Sequence, residues 1–242
     1  KGGGPISVLG IATDRAGPGL RYESVGLNGA TVSDFLSFDD HLLRAEVAAR
    51  APHLIVIGLG TNEAYDLQRF RLKRPDREHA DATPRFRKRM VDLLTRLMAP
   101  AAPGASCLVL LPPDLAPPKR DESLCRKEVV EEGGDGVCVW PPVIGWSEVV
   151  TGYAQAAREV GCALWDQQAA MGGPGQINLW AHREPTLARR DGVHLNDRGY
   201  VRLARGLYED LMDAYADWTE GGEDEPLNVG VVAAEATVVE PP

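Results

Sequence analysis

Four features are missing from this 242-residue sequence, and each absence narrows what the protein can be. No apolar run approaches the ~18 residues that a membrane-spanning helix needs, so we predict no membrane span. No Cys-x-x-Cys pair is present, and the cysteine spacing therefore predicts no zinc site. No basic stripe is present, so nucleic acid is not an expected partner. The first five residues lack the apolar core of a secretion signal, but the chain does not begin with Met, which leaves the compartment open.

The net charge of −9 is unevenly distributed along the chain. Residues 219–242 contain six acidic residues and no Lys or Arg, so the rest of the chain carries a net charge of only −3. We predict a boundary here, with one domain over 1–218 and an acidic tail over 219–242. The β-branched residues of the tail are also compatible with one added edge strand. Arg and Lys are frequent over 69–89, but acidic residues are interspersed, which is typical of a solvated helix face.

The four cysteines fall into two pairs. Cys107 and Cys162 each lie in an apolar, strand-like run, and we predict that both are buried packing residues. Cys125 and Cys138 flank the polar insert 126–137, where a disulfide would close a loop and would imply an oxidising compartment. The sequence leaves both the bridged and the unbridged state of this second pair open.

Strand-like and helix-like segments alternate along the chain. Apolar runs and one alternating segment predict strands at 6–12, 20–27, 53–60, 106–113 and 162–166. Apolar residues that recur every three or four positions predict helices at 28–36, 39–51, 82–100, 147–161 and 196–218. This alternation predicts a three-layer α/β sandwich with a mostly parallel sheet. The Pro- and charge-rich segment 114–145 is predicted to be a long inserted loop.

Three polar clusters lie where the binding site of such a fold is expected. In open α/β sheets, ligands bind outside the carboxyl ends of the strands. The clusters at these positions are Asn28–Thr31, Gly60–Glu63 and Asp191–His194.

Each cluster contains groups that are suited to acyl transfer. The backbone N–H of Gly29 and the side-chain NH2 of Asn62 are donors that would stabilise negative charge on a former carbonyl oxygen. His194 would take a proton from a nucleophile, and Asp191 would hold its tautomer and orientation. Taken singly, Asn-Gly is commonest in turns, and Asp-x-x-His in solvated turns or helix caps. We interpret Glu63 as a carboxylate in the first turn of a helix rather than as a general base.

The order of these clusters resembles the SGNH or GDSL hydrolases, whose members carry four short blocks. "VGLNGATVSDF" is similar to the second block, "GLGTNEA" to the third, and "DGVHLNDRGYVRLA" to the fourth. The resemblance implies a flavodoxin-like SGNH fold, an oxyanion hole formed by Gly29 and Asn62, and a catalytic pair formed by Asp191 and His194. "RYESVGLNGA" and "ALWDQQAAMGGPGQINLW" further resemble a bacterial subgroup that includes peptidoglycan O-acetylesterases.

The first block of the family is absent, because Gly-Asp-Ser occurs nowhere in the chain. Ser7 lies at the start of a predicted strand, whereas the family nucleophile follows one. Ser24 and Ser33 flank the second block and are poor substitutes. The resemblance then implies a chain that begins after the nucleophilic serine and lacks the first strand of the fold. An upstream segment, another chain, residues 6–12 or the tail would have to fill that gap in the sheet.

The resemblance implies a serine esterase that removes a small acyl group, with acetyl on a carbohydrate such as peptidoglycan as the leading substrate. It implies no metal or other cofactor, and a location in the bacterial periplasm or outside the cell. The alternative is a non-catalytic, carbohydrate-binding relative of the same fold. A third hypothesis is a metal-dependent hydrolase that uses His182, Asp191 and His194, although His182 lies in a polar loop whose geometry the sequence does not reveal.

Overall fold

The computed structural model describes residues 17–76, 78–117, 122–129 and 136–221. The strands are β1 (Leu54–Gly58), β2 (Ser106–Leu111), β3 (Arg126–Glu128), β4 (Val137–Val139) and β5 (Ala163–Asp166). In the described residues β1, β2 and β5 form a parallel sheet in the order β1–β2–β5, and β3 and β4 form a separate antiparallel pair. The predicted fold class, an α/β fold with a parallel sheet, is therefore confirmed.

Helices follow the strands on both faces of this sheet. They are α1 (Val32–Leu36), α2 (Asp40–Arg50), α3 (Thr61–Leu72), α4 (Thr83–Met98), α5 (Trp146–Val160), α6 (Gln167–Met171), α7 (Gln176–Trp180) and α8 (Asp197–Gly221). The five predicted helices are present, and α1 and α2 are separate. The short helices α6 and α7 were not predicted, because five residues are too few to establish a helical period.

The central strand β2 is buried on both faces, which explains its continuous apolar sequence. In β5, Leu164 packs against one core cluster, which the sheet shares with α4 and α5. The next residue, Trp165, packs against a second cluster that includes Trp180 and Leu203, and its indole N–H donates to Asp210 of α8 at 2.7 Å. Successive residues of a strand point to opposite faces, so the sheet lies between two helical layers.

The predicted strand at 20–27 is wrong. Residues 18–27 form neither helix nor strand, and the side chains of Leu20 and Tyr22 are 97% and 83% exposed. Alternating apolar residues favour a strand only where a sheet face buries them, and no described strand pairs with this segment. The predicted strands at 6–12 and in the tail lie outside the described residues. At the edge of the described sheet, Leu54 and Val56 of β1 are about half exposed.

The prediction that Cys107 and Cys162 are buried packing residues is confirmed, since both lie in the core. The sequence did not indicate that they also form a disulfide, which has a Cα–Cα distance of 4.7 Å. Leu108 is in register with Ala163, which places the two preceding cysteines side by side. The sequence contained no sign of this register. The second pair, Cys125 and Cys138, is bridged and joins β3 to β4, so the insert contains a disulfide-closed hairpin.

Helices α4 and α5 approach each other closely at Gly152. A Cβ atom at this position would lie 2.8 Å from Cβ of Phe86 and 2.9 Å from the backbone oxygen of Thr83. Alanine is favoured over glycine within a helix by about 1 kcal/mol, but overpacking a core costs about 1–3 kcal/mol. Because the contact includes backbone, which cannot rotate away, we expect Gly152→Ala to lower the free energy of unfolding by about 1–2 kcal/mol in urea denaturation.

Gly206→Ala in α8 is the matched control for this substitution. Its Cβ would meet only Trp165, at an ordinary contact distance of 3.8 Å. The helix preference then acts alone, and we expect a gain of up to about 1 kcal/mol. Equal changes in stability from the two substitutions would contradict the close packing at Gly152.

Candidate active site

The first part of the site is a turn that precedes α1. The backbone N–H of Ala30 donates to the carbonyl of Leu27 at 3.1 Å, which closes a four-residue turn. Gly29 occupies its third position with a φ of +77°, the value that a type II turn requires there. A Cβ on Gly29 would meet no described atom within 4 Å. The glycine is thus needed for its backbone conformation, and no described group fills the space beside it.

Asn62 connects this turn to the end of β1. It lies in the first turn of α3, directly after the glycine-containing link from β1, and is half-buried. Its Nδ2 donates to the carbonyl oxygen of Ala30 at 2.9 Å. The amide group carries a second hydrogen that this bond does not use. The structure therefore brings the Gly29 and Asn62 segments together, in the arrangement that the sequence prediction of two oxyanion donors requires.

The third part of the site is the turn that carries Asp191 and His194. Arg189 N–H donates to the carbonyl of His194 at 2.8 Å, and residues 188 and 195 form an antiparallel bridge beneath the turn. Asp191 Oδ1 accepts the backbone N–H groups of Val193 at 2.8 Å and His194 at 2.9 Å. The aspartate therefore fixes the backbone of the turn in addition to contacting the imidazole.

The imidazole of His194 is oriented by the same carboxylate, with Nδ1 2.9 Å from Asp191 Oδ2. Partial burial opposes ionisation of Asp191, but hydrogen bonds from the backbone of His194 and Val193 and from the imidazole outweigh it and lower the pKa of the aspartate. An ionised carboxylate only accepts, so Nδ1 carries the hydrogen and Nε2 of the neutral ring has a free lone pair. The His194 side chain is 60% exposed, which leaves it open to a substrate.

One residue links the Asn62 helix to the His194 turn. The carbonyl of Ala116, in the loop after β2, accepts the hydroxyl hydrogen of Tyr65 at 2.6 Å. The N–H of the same residue donates to the carbonyl of Gly192 at 2.9 Å. Val193 also packs against the core cluster that contains Val32. The three polar clusters are thus attached to one another through short contacts at the carboxyl ends of the strands.

Asp114 is a buried residue that the sequence analysis did not single out. Its side chain is fully buried and accepts the N–H of Ile177 at 2.9 Å and the amide of Gln168 at 2.8 Å. Burial raises its pKa, although these hydrogen bonds oppose the shift. The residue attaches the start of the insert to α7. Its position directly after a buried strand and two prolines was the available signal.

The remaining predicted candidates lie in other environments. Ser33, on α1, accepts a hydrogen bond from Arg89 at 2.8 Å, and Ser7 lies outside the described residues. His182 Nδ1 is 2.8 Å from the carbonyl of Asn178. Among the described residues, no three His, Cys, Asp or Glu side chains are grouped to hold a metal ion. Within the same ranges, every helix is too short or too polar to span a membrane.

The fold is similar to those of solved ester hydrolases. A peptidoglycan O-acetylesterase structure matches with a TM-score of 0.59 and 21% identity, over 78% of this chain and 45% of that chain. An alpha/beta hydrolase from the metagenome of Lake Arreo, Spain, matches with a TM-score of 0.46 and 18% identity, over 75% of this chain and 67% of that chain. A lipase/acylhydrolase from Enterococcus faecalis matches with a TM-score of 0.43 and 19% identity, over 76% of this chain and 72% of that chain.

The likeness to the peptidoglycan O-acetylesterase structure shows that the chain shares its α/β fold. No family model and no curated protein matches the sequence. The chain spans 45% of the length of the peptidoglycan O-acetylesterase structure.

Proposed function

We propose that the chain provides the oxyanion-binding and acid–base groups of an SGNH-type ester hydrolase. This proposal rests on one observation: at the carboxyl ends of the strands, hydrogen bonds connect the predicted oxyanion donors to the predicted acid–base pair. Asn62 is bonded to the Gly29 turn, and an oriented His194–Asp191 pair is bonded through Ala116 to the helix that carries Asn62. An Asp-x-x-His turn that served only to reverse the chain would not need hydrogen bonds to the helix that carries Asn62.

The proposed reaction uses the same groups in both halves, and His194 acts in each half first as a base and then as an acid. A serine hydroxyl attacks the ester carbonyl while Nε2 of His194 takes its proton, and the N–H groups of Gly29 and Asn62 bind the oxyanion. The ester C–O bond then breaks, and His194 returns the proton to the departing sugar hydroxyl. Water attacks the acyl-serine by the same steps and releases the acid. Asp191 keeps Nδ1 protonated throughout and stabilises the imidazolium.

The nucleophilic serine is the group that this chain does not visibly provide, because it contains no Gly-Asp-Ser block. We propose that the hydroxyl is supplied by polypeptide other than these 242 residues. The same absence is the observation that favours the second candidate function, a carbohydrate-binding relative that does not hydrolyse its ligand.

The proposed substrate is an O-acetylated carbohydrate of the peptidoglycan type. The sequence resemblance to that subgroup supports it, and so does the name of the structure that matches with a TM-score of 0.59. The exposure of His194 and the space beside Gly29, which no described atom fills, suit a polymer that approaches from solvent. The two disulfides support a proposed location in the periplasm or outside the cell.

The test compares the chain with the same chain extended by the coding sequence upstream of Lys1. We expect the extended protein to release acetate from O-acetylated peptidoglycan and p-nitrophenol from p-nitrophenyl acetate, whereas the chain alone releases neither above the buffer rate. Peptidoglycan deacetylated with mild base is the matched substrate control. Turnover by neither protein, together with binding of the acetylated polymer, would favour the non-catalytic candidate. Full turnover by the chain alone would place the nucleophile inside it.

A further inference from the structure

Glu63 is a buried acidic residue that the proposed reaction does not use. It follows Asn62 in the first turn of α3, as the sequence predicts, but its side chain is only 7% exposed. A carboxylate in the first turn of a helix normally faces solvent, and burying it costs free energy unless it is well hydrogen-bonded. Its position beside a proposed oxyanion donor therefore calls for a physical reason.

Glu63 bonds the same segment of chain as Asn62 does. Its Oε1 accepts the backbone N–H of Val32 at 2.7 Å, while Nδ2 of Asn62 donates to the carbonyl of Ala30 at 2.9 Å. Two consecutive residues of α3 thus hold alternate residues of the segment that begins at Gly29. A single bond would leave this segment free to pivot, whereas two bonds set both its distance from α3 and its orientation.

A third element fixes the carboxylate itself. The hydroxyl of Tyr153, on α5, donates to the same Oε1 at 2.7 Å, and the tyrosine side chain is fully buried. Burial, followed by the charge of Glu63, raises the pKa of Tyr153 well above its usual value, so the hydroxyl keeps its hydrogen and remains a donor. The ring of Tyr153 also packs edge-on against Phe86 of α4, with 6.4 Å between ring centroids.

Packing alone does not explain why a glutamate occupies this buried position. Oε2 of Glu63 is buried, and no described group is hydrogen-bonded to it. Such an atom costs stability, and an apolar side chain at this position would avoid that cost. What the carboxylate adds is an acceptor oxygen within reach of the Val32 N–H, which an apolar side chain could not provide.

We propose that Glu63, held by Tyr153, is a positioning residue that sets the Gly29 N–H relative to the amide of Asn62. The inference rests on the proposed function, since it concerns the two proposed oxyanion donors. Glu63 itself does not touch the substrate and transfers no proton.

The first experiment measures geometry and needs no turnover. Amide hydrogen exchange of Val32 is followed by NMR in the 242-residue chain, relative to the buried Val109 of β2 so that changes in global stability cancel. We expect Glu63→Ala to accelerate exchange at Val32 by at least about tenfold and to shift the signals of Gly29 N–H and Asn62 NH2. Glu63→Gln keeps an acceptor oxygen, and we expect it to stay within about threefold of the unmodified chain.

Gln68→Ala is the matched control on the same helix. Gln68 is also buried, and its side-chain oxygen accepts the N–H of Ile144 at 2.9 Å, away from the glycine turn. Its removal should destabilise the protein. It should not change the exchange rate of Val32 relative to that of Val109, or the NMR signals of Gly29 N–H and Asn62 NH2. Should Glu63→Ala fail to fold, Tyr153→Phe releases the carboxylate from the other side and should also accelerate exchange at Val32. The proposal would be overturned if the exchange rate of Val32, relative to that of Val109, stays the same in the Glu63→Ala and Tyr153→Phe variants.

The second experiment uses the upstream-extended protein and p-nitrophenyl acetate. We expect Glu63→Ala to lower kcat at least tenfold with KM within twofold, Glu63→Gln to restore most of kcat, and Gln68→Ala to retain it. A kcat for Glu63→Ala equal to that of Gln68→Ala would contradict a role in positioning. If the unmodified extended protein shows no turnover, the proposed function fails, and the exchange ratio at Val32 still decides the role of Glu63.

Discussion

Replacing His194 with alanine is expected to abolish ester hydrolysis, with kcat reduced by about three to six orders of magnitude. The structure orients this imidazole through Asp191, at 2.9 Å, so that Nε2 is the unprotonated nitrogen. Without it, no described group is positioned by that carboxylate to take the serine proton. The measurement is p-nitrophenol release from p-nitrophenyl acetate by the upstream-extended protein, at substrate concentrations that define both kcat and KM.

His182→Ala is the control that separates the esterase from the metal-dependent alternative. His182 is bonded to the backbone of its own helix segment and is not paired with Asp191. The esterase proposal therefore expects the His182 variant to keep kcat within about threefold, whereas a shared metal site would require both histidines. Loss of activity in both variants at unchanged thermal stability would refute the assignment of His194 as the base.

Replacing Asn62 with alanine is expected to lower kcat by about 10²–10³, because one donor to the oxyanion is removed. The same change removes the hydrogen bond to Ala30, so the segment that begins at Gly29 also loses one of the two side-chain hydrogen bonds that the structure describes between it and the start of α3. KM should change little, since the oxyanion exists only after attack on the carbonyl. Steady-state kinetics with p-nitrophenyl acetate measures both constants.

Asn62→Asp is the informative companion substitution. Aspartate has nearly the same shape as asparagine, but when ionised it donates no hydrogen bond and places negative charge beside the developing oxyanion. We expect its kcat to be at or below that of Asn62→Ala. Recovery of activity by the aspartate would mean that the side chain fills space and does not donate a hydrogen bond.

The parts of the fold that depend on local sequence were predicted correctly. The apolar runs that became β1, β2 and β5 and the periodic segment that became α4 each carry their own local signal. Burial on both faces determines the composition of β2, and burial of one stripe determines that of α4. The strand predicted at 20–27 failed for the complementary reason. Its alternation has meaning only next to a pairing partner, and the structure describes none.

Contacts between residues far apart in the sequence could not be predicted from the sequence. The Cys107–Cys162 disulfide depends on the register of β2 and β5, which no single segment encodes. Glu63 was assigned correctly to the first turn of a helix, but its partners, Val32 and Tyr153, are 31 and 90 residues away. The hydrogen bond between Asp191 and His194 spans three residues, and a motif can represent a contact of that length.

Because Ala116 makes two hydrogen bonds that connect the site, the first residues of the insert should tolerate changes in length less well than the rest of it. Adding or deleting a residue between Pro112 and Pro117 would move the anchor that Tyr65 and Gly192 share, and with it the spacing between Asn62 and the imidazole. Exchanging the hairpin between Cys125 and Cys138 leaves both of those bonds untouched. Loop exchange within the insert is therefore best confined to the disulfide-bounded hairpin.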